Sequence, residues 1–203
     1  MPIIEYNQDI MNYLIKRDPK LGAYIDQFGF VEVNRNPNIF ETVVSSIISQ
    51  QLSLKAASTI EKRFRDLIGS FEPYTIMSHH DDELRACGLS YPKIKYIKEF
   101  AYKVRENELV IDDFDSLDDE EVIQRLITVK GIGRWTAEML AMFSLGRLDI
   151  FAFDDLALKK AVMKVQGYKT FSKLRYERLK KKYSPYGTVA AIYYYEVKNR
   201  EGL

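Results

Sequence analysis

The 203-residue chain carries 30 basic and 29 acidic side chains, a formal net charge of only +1, and 46% of its residues are hydrophobic. This composition excludes intrinsic disorder, and the length allows a substantial buried core. The single cysteine, Cys87, excludes an intramolecular disulfide and a four-cysteine metal or iron–sulfur site. With no signal-peptide core and no long apolar run, we expect a soluble, cytoplasmic protein.

Apolar residues recur with helical periodicity through the first half of the chain, and no long alternating β pattern interrupts them. Two helices are predicted before about residue 30, with a break at Asp18-Pro19 because proline restricts the residue before it. Asn38, three positions before Glu41, predicts the start of a helix that ends in the polar stretch 49–53. Three further helices are predicted at 55–68, at 73–84 and after Pro92, the last with lysines 93, 95 and 98 outside. The fold class is therefore predicted to be all-α.

The stretch KGIG, residues 130–133, lies between two helical patterns. Glycines at this spacing allow another backbone to approach closely, and successive amides before a helix form an anion site. We predict that the N–H groups of Gly131, Ile132 and Gly133, together with Thr136, hold a DNA phosphate. An ordinary glycine turn is the alternative, since helices often end at glycine.

Charge is distributed unevenly along the chain. Residues 106–121 contain nine acidic and no basic side chains, and Asp118 in this run is predicted to cap a helix at 119–127. Residues 159–182 contain ten Lys or Arg and one acid, Glu177. Such a basic block can offer a local positive face to phosphates, although a solvated helical surface is the alternative.

Adjacent carboxylates, Asp154 and Asp155, precede a predicted helix at 156–165. Aspartate is a preferred N-cap, and the helix N-terminus favours the ionised acid. Taken without their surroundings, both aspartates are best explained as caps.

Four blocks of the chain together are similar to one family. They are IISQQLSLKAA (47–57), GLSYPKIKYI (88–97), VKGIGRWTAEML (129–140) and DIFAFDDLALKKAV (149–162). In order and spacing the chain resembles the helix-hairpin-helix DNA glycosylase superfamily, most closely the 3-methyladenine DNA glycosylase II family, over about residues 40–195. Larger bacterial members carry an additional N-terminal β-rich domain, for which this chain has no room, so the resemblance is to a short form.

The resemblance implies a two-lobed helical protein with the active-site cleft between the lobes. Residues 1–38 would pack with 146–203 as one lobe, which carries the catalytic aspartate, and 39–145 would form a central helical barrel that includes the hairpin. No cofactor is required in such proteins. A structural Na⁺ or K⁺ bound by the carbonyls of Ile127, Val129 and Gly131 is compatible with the resemblance.

By resemblance Asp155 is the catalytic residue, and Asp154 is then predicted to be the N-cap. Cleavage of an N-glycosidic bond develops positive charge on the sugar, which a fixed carboxylate stabilises, and the same group can orient or deprotonate water. Relatives that also nick the strand use a lysine amine at the position where this chain has Trp135. The resemblance therefore implies a monofunctional glycosylase without lyase activity.

Alkylation at ring nitrogens makes purines cationic, which favours stacking on aromatic faces. The resemblance places four residues around the flipped base: Trp135, Met139, Leu156 and Tyr195. Met139 and Leu156 are aliphatic where the bacterial two-activity enzyme has tyrosines, which leaves the preferred lesion open. Core packing is the alternative for Trp135 and for the tyrosines at 193–195.

A flipped base leaves a gap in the stack that a side chain must fill. Gln51 stands at the intercalating position of the family, with Leu52 as the neighbouring candidate, and a polar helix end is the competing explanation. The chain also departs from the family at Tyr183 and Gly187, where a tryptophan and an arginine are expected.

The function that the resemblance implies is base-excision repair. The protein would act as a monomer on double-stranded DNA with a damaged base, without a membrane partner, and remove alkylated purines such as 3-methyladenine. The alternatives are a helix-hairpin-helix glycosylase for an oxidised or deaminated base and a non-catalytic module that binds lesions.

Overall fold

A computed structural model of the protein describes residues 2–202, which form twelve α-helices joined by turns and loops. The helices are α1 (Gln8–Arg17), α2 (Pro19–Phe28), α3 (Ile39–Ser49), α4 (Leu54–Ile68), α5 (Pro73–Ser78), α6 (Asp81–Ala86), α7 (Tyr91–Arg105), α8 (Asp119–Ile127), α9 (Arg134–Phe143), α10 (Leu156–Gln166), α11 (Lys173–Tyr183) and α12 (Gly187–Glu201). Across these residues β-pairing is limited to an isolated antiparallel bridge between Ile3 and Asn34. None of the helices described here is both long and apolar enough to span a membrane.

The helix starts follow from local capping. Asn38 accepts a hydrogen bond from the Glu41 amide at the start of α3, and Asp118 accepts one from the Glu121 amide at the start of α8. Both caps were predicted, because these side chains satisfy amides that have no partner within the helix. Between α7 and α8 the acidic run includes a short 3₁₀ turn, Phe114–Ser116.

The prediction of one helix at 73–84 was wrong. The chain forms two helices, α5 and α6, with a break at His79 and His80. The Glu83 carboxylate accepts a hydrogen bond from the His80 amide at 2.7 Å, which starts α6 anew. Three acidic residues in its first turn suit the positive end of that helix.

The chain divides into two compact units, one made of residues up to Asn36 and from Ala141 onward and the other of Pro37–Leu140. In the second, central unit α7 packs against α3, α5 and α6. The inner face of α3 is fully buried, and Phe40 on α3 stacks on Phe100 of α7 with ring centroids 5.0 Å apart. The helix α7 is therefore the central element of this unit.

In the unit that contains both chain ends, α12 packs against α2 and α10 and is buried along most of its length. Tyr193 and Tyr194 on α12 are fully buried, and the Tyr193 hydroxyl donates to the Gly29 carbonyl at 2.9 Å. These two tyrosines therefore belong to the core, which was the alternative explanation for them. Gly187 begins α12 and donates its N–H to the Asp149 carboxylate at 3.1 Å.

Asp18 is the centre of a buried hydrogen-bond network in the same unit and is only 1% exposed. Its Oδ1 accepts from the Lys20 and Leu21 amides and so caps α2. Its Oδ2 accepts from the side chains of Gln166 at 2.9 Å, Lys182 at 2.9 Å and Tyr183 at 2.6 Å. One carboxylate thus joins α2 to α10 and α11, and Tyr183 has a structural role of its own where the family has a tryptophan.

The network lowers the pKa of Asp18. Burial by itself raises that pKa, but the hydrogen bonds from Tyr183 and Lys182 and the charge of Lys182 outweigh burial. Burial also raises the pKa of the Tyr183 hydroxyl, as do the neighbouring Tyr194 and Asp18. Tyr183 is therefore a neutral donor to an ionised carboxylate at neutral pH.

We predict that Asp18→Ala lowers the free energy of unfolding by about 3–5 kcal/mol, because it leaves a half-buried cation and two buried donors without their acceptor. Urea denaturation at pH 7 measures this, with the exposed Asp26→Ala on α2 as control, expected within about 0.5 kcal/mol of the unmutated protein. Since the pKa of Asp18 is lowered in the folded state, its contribution is present above the unfolded-state pKa of about 3.9 and disappears as pH falls through the folded-state pKa. An equal effect of the two substitutions at pH 7 would contradict the role assigned to Asp18.

Candidate nucleic-acid interface and candidate catalytic carboxylate

The glycine hairpin (residues 128–133) connects α8 to α9. Its backbone is held by hydrogen bonds from the Val129 amide to the Leu126 carbonyl and from the Ile132 amide to the Val129 carbonyl, both 3.0 Å. Gly131 has φ +88°, and a Cβ added there would lie 2.9 Å from Cδ2 of Tyr96. Only glycine meets both conditions, because a side chain would be strained by the dihedral angle and would collide with the ring.

The amides of the hairpin differ in their availability to a phosphate. In the part of the chain that the structure describes, the Ile132 N–H already donates to Val129, whereas no such bond occupies the amides of Gly131 and Gly133. A phosphate at Ile132 would have to compete for that hydrogen bond. Thr136 lies in the first turn of α9 and is half-buried. The phosphate contacts stay a prediction, and the amides of Gly131 and Gly133 are better placed to make them than the amide of Ile132.

Ion pairs hold the start of α9 against α8. Arg134 donates to both carboxylate oxygens of Glu120 at 2.8 and 2.7 Å and to Glu138 at 3.2 Å. The hydrogen bond with Glu120 is the main cause of the raised pKa of Arg134. On the other side of the hairpin, Lys130 donates to Glu99 at 2.9 Å. Glu120, a member of the acidic run, therefore neutralises the charge of Arg134 beside the hairpin.

The polar stretch 49–53 forms a turn between α3 and α4, here named the 49–53 turn. Gln51 is exposed and has φ +57°, a left-handed conformation that is uncommon for any residue other than glycine. Leu52 beside it is also exposed. The side chain of Gln50 donates to the Gly131 carbonyl at 2.7 Å, so the turn is bonded directly to the hairpin. Sequence reasoning missed this contact, because Gln50 lies 81 positions from Gly131.

Lys93 was placed wrongly by the sequence pattern. It was predicted on the outer face of α7, but its ammonium donates to the carbonyls of Ile48 at 2.8 Å and Gln50 at 2.7 Å. The only signal for this was its place within the GLSYPKIKYI block. A helical-periodicity argument assigns every lysine outward and does not detect a lysine that caps a neighbouring helix.

The candidate pocket residues lie in both units. Trp135 is 46% exposed and Met139 is half-buried, and their spacing on α9 places them on one face of that helix. Leu156 is 73% exposed, and Tyr195 is half-buried with its ring centroid 6.2 Å from that of Phe143. The exposure of Trp135 argues against simple core packing. Their role around a base stays a prediction.

The assignment of the N-cap to Asp154 was wrong. Asp155 caps α10, and its Oδ1 accepts a hydrogen bond from the Leu158 amide at 2.6 Å. Asp155 is 6% exposed, whereas Asp154 is exposed and pairs with Lys159 at 3.4 Å. The cap falls on Asp155 because α10 begins at Leu156, directly after it. Asp155 is thus a nearly buried carboxylate fixed at the N-terminus of a helix.

The basic block 159–182 covers α10 and α11, and part of its charge is already paired. Lys164 pairs with Glu201 at 3.4 Å, Lys173 with Glu177 at 3.3 Å, and Lys182 with Asp18. Six members of the block have no ion pair within residues 2–202: Lys160, Lys169, Arg175, Arg178, Lys180 and Lys181. A positive face on these helices therefore stays a prediction, and these six side chains are its candidate phosphate contacts.

Residues 44–185 match the sequence model of the HhH-GPD superfamily of base excision DNA repair proteins. The structure is similar to that of a DNA-3-methyladenine glycosidase from Bacillus halodurans, with TM-score 0.90 and 33% identity over 100% of this chain and 94% of that chain. It is also similar to the Schizosaccharomyces pombe 3-methyladenine DNA glycosylase in complex with abasic DNA, with TM-score 0.81 and 29% identity over 95% and 97%.

A sequence relative, DNA-3-methyladenine glycosylase 1 of Schizosaccharomyces pombe, is 39% identical over 124 residues. The match covers 59% of this chain and 54% of the relative, so the chain spans about half of that protein's length. The helical hairpin fold and these matches define the class, and the chain belongs to the HhH-GPD superfamily of base excision DNA repair proteins. The predicted superfamily and the predicted all-α fold are confirmed.

We predict that Gly131→Ala lowers the free energy of unfolding by about 1–3 kcal/mol, because alanine is strained at a positive φ and its methyl would meet Tyr96. Gly133→Ala is the matched control two residues on, where an added Cβ meets nothing within 4 Å. Thermal unfolding of the three proteins checks the difference. Equal melting temperatures for the two variants would show that the Gly131 conformation is not required.

Proposed function

We propose that the protein is a monofunctional DNA N-glycosylase that removes alkylated purines such as 3-methyladenine from double-stranded DNA. The observation that carries the proposal is Asp155, a nearly buried carboxylate fixed at the start of α10. The relatives support the choice of substrate, since a protein named DNA-3-methyladenine glycosidase is 33% identical over the whole chain.

Asp155 would act while the glycosidic bond breaks. Departure of the base leaves positive charge on the sugar, and a preorganised carboxylate stabilises that charge most strongly where water is excluded. The hydrogen bond from the Leu158 amide holds Oδ1, so the carboxylate need not reorganise during the reaction. The same group can orient or deprotonate the attacking water.

The base would be recognised by its positive charge. Alkylation at a ring nitrogen gives the purine a cationic ring, and the exposed face of Trp135 can stack on it. Tyr195 would add a second aromatic surface, while Met139 and Leu156 supply apolar contact without hydrogen bonds. Such a pocket would favour cationic bases, whose glycosidic bond is weakened, and would depend little on the hydrogen-bonding groups at the edges of the base.

DNA would be held through the backbone amides of the hairpin, with Ile132 and Thr136 alongside the two glycines. Gln51 is proposed to enter the gap that the flipped base leaves, with Leu52 as the neighbouring alternative. Both are exposed on the 49–53 turn. Contacts of this kind read no sequence, as a repair protein requires.

We propose that no cofactor takes part. Residues 2–202 contain no cluster of three or more His, Cys, Asp or Glu that could hold a metal ion. The Val129 and Gly131 carbonyls each accept one hydrogen bond, and a carbonyl oxygen has two lone pairs, so these atoms, with the Ile127 carbonyl, are the proposed ligands of a structural Na⁺ or K⁺ ion. Such an ion would stabilise the hairpin and supply no chemistry.

We extend the proposal to a monomer that acts in the cytoplasm, on the nucleoid if the source is a prokaryote.

A panel of duplexes, each with one lesion, tests the substrate class by release of free base. Release from alkylated purines supports the proposal. Release only from oxidised or deaminated bases, or binding without release, would favour one of the alternatives.

We expect Asp155→Asn to lower the single-turnover rate of base release about 10²–10³-fold, because the developing charge loses its carboxylate. Asparagine caps helices as well as aspartate does, so the fold should persist. Affinity for DNA that contains an abasic-site analogue should stay unchanged. Asp154→Asn is the matched control and should release base at the unmutated rate. Full activity of Asp155→Asn would disprove the mechanism.

We predict base release without strand scission, because Trp135 stands where a lyase needs an amine. Incubation with lesion DNA and borohydride should trap no covalent adduct, and the labelled strand should break only after alkali. An adduct in the unmutated protein that is lost in Lys130→Ala would show that the neighbouring lysine supplies lyase chemistry.

A further inference from the structure

The 49–53 turn is bonded to α7. Lys93 on α7 donates to the carbonyls of Ile48 and Gln50, at the C-terminal end of α3 where carbonyls have no partner within the helix. Lys93 is half-buried, and this burial lowers its pKa. A partly desolvated ammonium between two carbonyls fixes the exit of α3 more firmly than an exposed lysine would.

The same turn is also bonded to the hairpin. Gln50 donates to the Gly131 carbonyl, and Tyr96 of α7 lies against Gly131. Lys93 and Tyr96 are three positions apart on α7, so they lie on one face of that helix. One helix therefore supports both the 49–53 turn, through Lys93, and the hairpin, through Tyr96.

Gln51 needs this support because of its backbone. Its φ of +57° is left-handed, a conformation in which the Cβ of a residue other than glycine is crowded by the backbone. Such a conformation persists only where the surroundings determine it. The hydrogen bonds of Gln50, one through its side chain and one through its carbonyl, are made by the residue directly before Gln51.

We propose that Lys93 and Gln50 are positioning residues that fix Gln51 in the conformation that enters DNA and join it to the hairpin as one preformed surface. This inference rests on the proposed function, in which Gln51 fills the gap left by the flipped base. Preformation lowers the ordering cost at the moment when the base pair is broken. The variants should therefore be impaired in flipping and not in the chemical step.

The test compares Lys93→Met and Gln50→Met, which keep the length of the side chain but remove its donor. Lys62→Met on α4 is the control, because Lys62 is exposed and, within residues 2–202, pairs only with Asp66. Base release is measured under single-turnover conditions from two duplexes, one with the lesion in a base pair and one with the lesion opposite an abasic-site analogue.

With the paired lesion we expect each positioning variant to release base about tenfold more slowly, the loss expected when a hydrogen bond that favours the flipped state is removed. With the unpaired lesion the rate should be within about twofold of the unmutated protein, because little pairing energy must then be overcome. Lys62→Met should match the unmutated protein on both. An equal loss on both duplexes would show a merely structural role, and no loss on either would overturn the inference.

A second readout does not depend on catalysis. A 2-aminopurine beside an abasic-site analogue changes fluorescence when a side chain disrupts its stacking, and this change should be smaller for both positioning variants and for Gln51→Ala. If the unmutated protein releases no base, the proposed function fails, and the fluorescence alone decides the inference. Lys93→Arg, which keeps a donor, should restore much of the signal, whereas failure of rescue together with a lowered melting temperature would overturn a positioning role.

Discussion

The conformation of Gly131 is the constraint on which the candidate DNA-binding surface depends. A positive φ turns the chain between α8 and α9, and the absence of a side chain lets Tyr96 pack against the backbone. The Gly131 carbonyl accepts a hydrogen bond from the side-chain amide of Gln50, which joins the hairpin to the 49–53 turn. A single backbone angle thus fixes where the hairpin amides, the start of α9 and Gln51 lie within the central unit.

For Asp155, the structural role that is observed and the chemical role that is proposed need not exclude each other. The sequence suggested a division of labour between two aspartates, one as cap and one as catalyst. In the structure one residue caps α10 and is also the buried acid, while Asp154 pairs with Lys159 at the surface. The Leu158 amide, which Asp155 caps, holds the carboxylate in place. A cap is therefore one way to preorganise a carboxylate.

Paired charges explain how a nearly neutral chain can offer a surface to DNA. Glu120 and Glu138 bind Arg134, and Glu99 binds Lys130, so several charges beside the hairpin cancel. Under the proposed function, backbone amides of the hairpin would provide the attraction to phosphate, which requires little net charge. Charge that is not paired in this way remains on α10 and α11. The net charge of +1 is thus a poor guide to the partner of this protein.

The sequence by itself determined the all-α class, most helix starts and the superfamily, because caps, breaks and apolar periodicity are local properties that tertiary contacts do not reverse. It determined the position of Gly131 and the pair Asp154-Asp155, since both lie in contiguous motifs. Only the tertiary structure decided that Asp155 is the cap, because one residue of shift in a helix start lies below the precision of a sequence pattern. Only the tertiary structure showed that Lys93 bonds to the carbonyls of Ile48 and Gln50 and that Gln50 bonds to Gly131. It also showed that Asp18 accepts hydrogen bonds from Gln166, Lys182 and Tyr183. Those contacts join residues that are 43 to 165 positions apart in the sequence, and no local pattern shows that such residues meet.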